Sequence, residues 1–93
     1  MMAIARDVKM KRNHSVMSTA IDDTTMMMDI EKGSYYSLEE PASRIWELLE
    51  TPHSIAEVAA ILAAEYEIDD ETCEADTAEF VEELIKLELV SAE

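Results

Sequence analysis

Apolar positions change their period once along this 93-residue chain. From Ser15 to Leu38 they alternate, as in strands whose successive side chains point to opposite faces, and from Ala42 onward they recur every three or four residues, as on helices. Ser15 to Ile21 has β-branched residues and apolar Val16 and Ile21, and Asp22-Asp23-Thr24 then supplies turn chemistry. Thr25 to Ile30 alternates more cleanly, with Met26, Met28 and Ile30 on one face and Met27 and Asp29 on the other. Glu31-Lys32-Gly33-Ser34 follows and holds the only glycine, which suits a tight turn needing φ > 0. Ser34 to Leu38 then returns antiparallel, with Tyr36 and Leu38 on one face and Tyr35 and Ser37 on the other. The pattern predicts a three-stranded meander.

Three helices are predicted after it. The first starts near Pro41, because a missing N–H costs nothing in the first turn, and it carries Ala42, Ile45, Trp46, Leu48 and Leu49 before Pro52 stops it. The second opens on Ser54-Ile-Ala-Glu57, a capping box in which the serine hydroxyl and the glutamate each satisfy a backbone N–H. Ile55, Val58, Ala59, Ile61, Leu62 and Tyr66 form its stripe, and it ends near Glu67. The third follows Asp69-Asp70, acids that complement the positive end of a helix dipole, and runs to about Leu87. It has two apolar rows, Phe80-Leu84-Leu87 and Ala78-Val81-Ile85, wider than one small core needs. Either both rows are buried inside the domain or one borders a groove. Strands followed by helices make an α+β domain, an N-terminal three-stranded antiparallel sheet with a three-helix bundle on one face.

Length fits one domain, with residues 1–13 read as a loose N-terminal arm or a short first strand and residues 14–93 as the body. Only one Phe, one Trp and three Tyr are present against seven Met, so the core is aliphatic and methionine-rich. Net charge is −15. Residues 1–13 are basic, with Arg6, Lys9, Lys11 and Arg12 against Asp7, so the body alone carries −18. Such a body repels phosphate backbones and anionic lipid, which argues against nucleic acid or membrane partners and for a basic or neutral peptide. A lone Cys73 asks for no oxidising compartment, Met1 to Ala5 is too short for a signal peptide, and no run reaches the roughly 18 apolar residues of a membrane span. A cytoplasmic protein is expected.

Catalytic chemistry is sparse. His14 and His53 read as solvated residues rather than bases, a single glycine cannot build a phosphate loop, and Cys73 with two scattered histidines has no zinc spacing. The acidic run Glu67 to Asp76 lacks the central glycine of a calcium loop and places Thr72, Cys73 and Ala75 among its ligand positions. No cofactor, metal or enzymatic activity is expected. Two other readings exist. Ser54 at a helix start could accept a phosphopantetheine arm in an acidic carrier protein, although Pro52-His53-Ser54-Ile55 lacks the acid such sites have. A winged-helix DNA binder would need a basic reading helix, whereas the third helix carries Glu71, Glu74, Asp76, Glu79, Glu82 and Glu83.

Met28-Asp-Ile-Glu-Lys-Gly-Ser-Tyr-Tyr-Ser-Leu38, followed by Ala42-Ser-Arg-Ile-Trp46-Glu-Leu-Leu, resembles the PqqD-like family of precursor-recognition domains from pathways that modify ribosomally made peptides. The resemblance spans about residues 15–90 and takes in Gly33, Tyr36, Leu38, Ile45, Trp46, the Ser54-Ile-Ala-Glu-Val-Ala helix start and Phe80 to Val90. The chain departs from the usual pattern at Glu39, commonly Asn, and at Glu88-Leu89-Val90, commonly Gly-Leu-Val. It looks most like the stand-alone recognition proteins of lasso-peptide pathways. The resemblance implies a winged-helix-like body that takes the leader of a precursor peptide as a further antiparallel strand on the third strand's open edge. It assigns that strand to Gly33, Ser34, Tyr35, Tyr36, Ser37 and Leu38, and the facing helix positions to Asp76, Phe80, Glu83, Leu84 and Leu87. Lasso leaders typically carry a Tyr and a Pro that fill such a groove. Implied partners are that leader, a leader protease and a cyclase of the same pathway, and the free edge also allows a weak homodimer.

Overall fold

The structure, a computed structural model, describes residues 5–92. Its elements in order are β1 (Met10–Arg12), β2 (Val16–Ile21), β3 (Thr24–Asp29), β4 (Ser34–Leu38), α1 (Ala42–Leu48), α2 (Ile55–Tyr66), α3 (Asp70–Lys86) and β5 (Val90–Ala92). This is an α+β domain with three helices and two antiparallel sheets. β2, β3 and β4 form the expected meander, with Ser18, Met27 and Tyr36 in one row across it and Met17, Met28 and Tyr35 in the next. Asp22 at φ 55° and Gly33 at φ 68° supply the left-handed positions of its two turns. Asp29 closes the second turn from within the protein, its Oδ1 accepting from the N–H of Glu31 at 3.1 Å and of Lys32 at 3.3 Å. A buried carboxylate is acceptable here because backbone donors satisfy it.

The sheet buries Thr25, Met27 and Asp29 against the helices, while Met26 and Ile30 face outward. Alternation alone named these two faces without telling which is covered. Trp46, 1% exposed, lies at the centre of the core and donates its Nε1–H to Ser18 Oγ at 3.0 Å, so α1 is anchored under β2. The capping box forms as read: Ser54 Oγ accepts from the Glu57 N–H at 3.2 Å and Glu57 Oε1 accepts from the Ser54 N–H at 2.9 Å. α2 ends with Glu67 in the left-handed region at φ 54°, and Asp69 caps α3 through the Thr72 N–H at 3.1 Å.

Two expectations change. Of the two readings of residues 1–13, residues 10–12 take the short first strand, β1, which pairs antiparallel with β5 through Met10 and Ala92, Lys11 and Ser91, and Arg12 and Val90. Met10 is wholly buried, and it exchanges two backbone hydrogen bonds with His53, so this stretch closes the core from below. Arg12 adds a guanidinium 4.6 Å from the Trp46 ring centroid, with Nε and Nη2 donating to the Trp46 carbonyl at 2.9 and 2.7 Å. Partial burial holds its pKa below the usual arginine value. Two further arm residues are tied to helices, Arg6 to Glu74 at 2.7 Å and Lys9 to Glu57 at 2.8 Å. Residues 1–4 of the expected arm lie outside the described residues. The second correction is that the sheet is not alone, because β5 follows the helices and makes a separate two-stranded sheet with β1.

Candidate functional site

β4 is the third strand of the meander and an edge of its sheet: among the described residues it pairs with β3 alone. Its outer rim of backbone N–H and C=O groups is therefore open for another strand. β2 is the opposite edge of the sheet. Tyr36 and Leu38 turn inward from β4 and pack on the core, while Tyr35 and Ser37 point outward and are exposed. Gly33 belongs to the turn, and the edge proper begins at Ser34.

α3 forms the other wall. At about 100° per residue, Asp76, Phe80, Glu83 and Leu87 fall within one narrow face, and Cys73, Thr77, Val81 and Leu84 fall a quarter turn away. The second set is buried and makes the core row. In the first set Asp76 and Glu83 are exposed, and Phe80 and Leu87 are half-buried against the core. Leu84 is thus corrected from groove to core, since only 2% of it is exposed. The wide apolar stripe is explained by a central core row flanked on one side by Phe80 and Leu87 and on the other by Ala78 and Ile85.

Ties at both ends fix how β4 and α3 lie together. Lys32 in the β3–β4 turn pairs with Glu88 just beyond α3. At the other end of β4, Pro41, Ala42 and Ile45 share an apolar cavity of about 260 Å³ with Asp76, Phe80 and Tyr66. The Tyr66 hydroxyl donates to Glu40 at 2.9 Å, and partial burial together with that bond pushes its pKa up. β4 and α3 therefore run antiparallel, with Phe80 and Asp76 at the end of Leu38. Asp76, Glu79, Phe80 and Glu83 also line a shallower depression of about 370 Å³, an aromatic floor with an acidic rim. None of those three acids takes part in an ion pair among the described residues. Sequence reasoning did not single out Ile45, Tyr66 and Ile68 as groove residues. Ile68 could have been found as a large apolar residue left over after the helical stripes were assigned, whereas Tyr66 is already counted in the stripe of α2.

The rival chemistries find poor geometry. Ser54 is 4% exposed and its hydroxyl is committed to the cap, so it is not presented for a phosphopantetheine arm. The exposed face of α3 is acidic, opposite to what a DNA groove requires. The acidic run Glu67 to Asp76 is mostly the start of α3 rather than a ligand loop, and no cluster of three metal-ligating side chains occurs among the described residues. No described helix is long and apolar enough to cross a membrane.

The surface thus offers an open strand edge at β4 and, beyond its Leu38 end, an apolar cavity bordered by acids. Residues 24–90 match the family of coenzyme PQQ synthesis protein D (PqqD), and the chain belongs to that family. No curated protein sequence matches it. Among solved structures it is similar to TbiB1 in complex with the TbiA(beta) leader peptide, at 34% identity and TM-score 0.82, with 87% of this chain and 94% of that one covered. It is also similar to a lasso peptide synthetase B1 complexed with its leader peptide, at 27% identity and TM-score 0.78, covering 88% of this chain and 96% of the other. The PqqD truncation of Methylobacterium extorquens PqqCD, a stand-alone recognition element for ribosomally synthesised and post-translationally modified peptides, shares the fold. Its identity is 16% and its TM-score 0.78, over 96% of this chain and 95% of that one.

Proposed function

We propose that this protein binds the leader segment of a ribosomally made precursor peptide and presents it to the enzymes that modify that precursor, acting by recognition rather than catalysis. The leader adds as an antiparallel strand to β4 along Ser34 to Leu38, with Gly33 setting the turn that starts the edge. Alternate leader side chains enter the groove beside Asp76, Phe80, Glu83 and Leu87. The body is winged-helix-like in this reading, and its partners are the leader protease and cyclase of a lasso-peptide pathway. Without peptide, the same edge supports weak pairing with a second copy.

The observation that carries the reading is the free β4 edge, with the apolar Phe80 cavity just beyond its Leu38 end, in a chain 34% identical to a protein whose structure holds a leader peptide. Two apolar anchors at roughly 2 kcal/mol each plus strand hydrogen bonds offset an ordering cost of about 2 to 5 kcal/mol, giving micromolar or tighter affinity. Calorimetric titration with the cognate leader tests this, and absence of binding at about 100 μM overturns it. Leaders N-methylated at successive positions test the mode: loss at every second residue marks strand addition, and uniform tolerance rules it out.

A further inference from the structure

The face of the three-stranded sheet that turns away from the helices meets the proposed leader site only along β4, yet it holds most of the exposed large apolar side chains. Met17 and Ile21 are each 60% exposed, Ile30 54%, Met26 43% and Tyr35 75%. The register puts Met17, Met28 and Tyr35 in one row and Thr19, Met26 and Ser37 in the next. No charged residue stands on this face, in a chain with 31% charged residues and a net charge of −15. Acids sit instead at the strand ends, Asp22, Asp23 and Glu39 at one and Glu31 at the other, all exposed. None of them is in an ion pair among the described residues.

We propose that this outer face docks a second, different protein, one that presents an apolar patch edged by lysine or arginine and acts on the peptide held at β4. Two observations select that occupant over another copy of this chain. Two copies would bring −15 against −15, with Asp22, Asp23 and Glu39 duplicated at the contact. The surface is moreover continuous with the leader site through Tyr35 and Ser37, which lie on β4 and face outward. A leader added to β4 extends the sheet by one strand, and its side chains that do not enter the groove join this face. A partner seated there touches the recognition protein and its cargo together, so it distinguishes the loaded protein from the empty one.

This inference rests on the leader-binding reading, and the test separates the two. Met17→Lys/Ile21→Lys alters exposed positions on β2, the strand farthest from β4 in the sheet. Leader affinity and melting temperature are measured first, then cleavage of the leader-bearing precursor by the purified leader protease of the pathway at limiting recognition protein. Unchanged affinity and stability with cleavage slowed by about tenfold or more is the expected result. Unchanged cleavage overturns the docking face, whereas a wild-type protein that fails to bind leader overturns the leader reading itself. Asp22→Asn/Asp23→Asn should give a smaller loss that disappears in high salt, and a salt-independent loss removes the basic edge from the partner. Sedimentation showing a dimer that the double lysine variant abolishes would assign the face to a second copy.

Discussion

Leu84 and Leu87 are about one turn apart at the end of α3, the first buried and the second half-buried. Leu84→Ala empties a buried site and should cost about 2 to 5 kcal/mol of stability, leaving leader affinity of the folded molecules intact. Leu87→Ala truncates a half-buried residue of the proposed leader site and should weaken leader binding by around 1 to 2 kcal/mol with a smaller effect on stability. Melting temperature and calorimetric affinity on both variants check the assignment, and a Leu87→Ala that loses only stability removes Leu87 from the site. Glu88 is a second informative residue. It stands at φ 62°, in the left-handed region where a side chain is strained, at a position where a glycine was expected from resemblance. It also holds Lys32 and so ties the β3–β4 turn to the end of α3. Glu88→Gly should therefore raise the melting temperature by a few degrees, about what relief of 1 kcal/mol gives in a domain of this size, while loosening that end of the groove. A melting temperature that falls would mean the ion pair outweighs the backbone.

At the level of elements, local signals were readable and distant ones were not. The β2–β3–β4 meander, the Ser54 and Glu57 cap and the three helices each depend on residues within a few positions, which is why spacing located them. β1 and β5 pair across about eighty residues of chain, and a three-residue strand leaves almost no alternation to detect. Periodicity placed Leu84 beside Phe80, but the direction of the core from α3 depends on where the sheet sits, so groove and core rows could not be separated. Asp29 made one face of β3 look polar, although turn backbone donors let it be buried. Two substitutions test elements as units. Ser54→Ala removes the cap of α2 and should cost about 1 kcal/mol, read as a lower melting temperature with leader affinity unchanged. Ser37→Pro fixes φ and deletes an N–H within β4, so leader affinity should fall by tenfold or more, whereas Ser37→Thr should be mild. Equal affinities for these two variants would argue against strand addition.

Across the whole molecule, charge sets how stability responds to solvent. With 22 acids against 7 lysines and arginines, repulsion dominates near neutral pH, so added salt should raise the melting temperature by screening it. Acid acts through particular carboxylates. Hydrogen bonds from Lys9, Arg44 and Arg6 hold Glu57, Glu65 and Glu74 below the ordinary 4.5. Their contribution is fully present above that value and is lost as pH falls through the lower folded values. Glu74→Gln should therefore flatten the acid limb of a melting-temperature profile, and an unchanged limb would show that the Arg6 pair adds nothing. The pairing of β1 with β5 has a consequence of another kind. Met10 lies opposite Ala92, and Ala5 and Ala92 border the same surface cavity, so the two ends of the described chain lie close together. A short linker could join them, and new ends could be cut at the exposed Asp22-Asp23 turn without breaking a helix or the β4 edge. Such a circular permutant should fold and keep its peptide site, leaving the recognition groove independent of where the chain is opened.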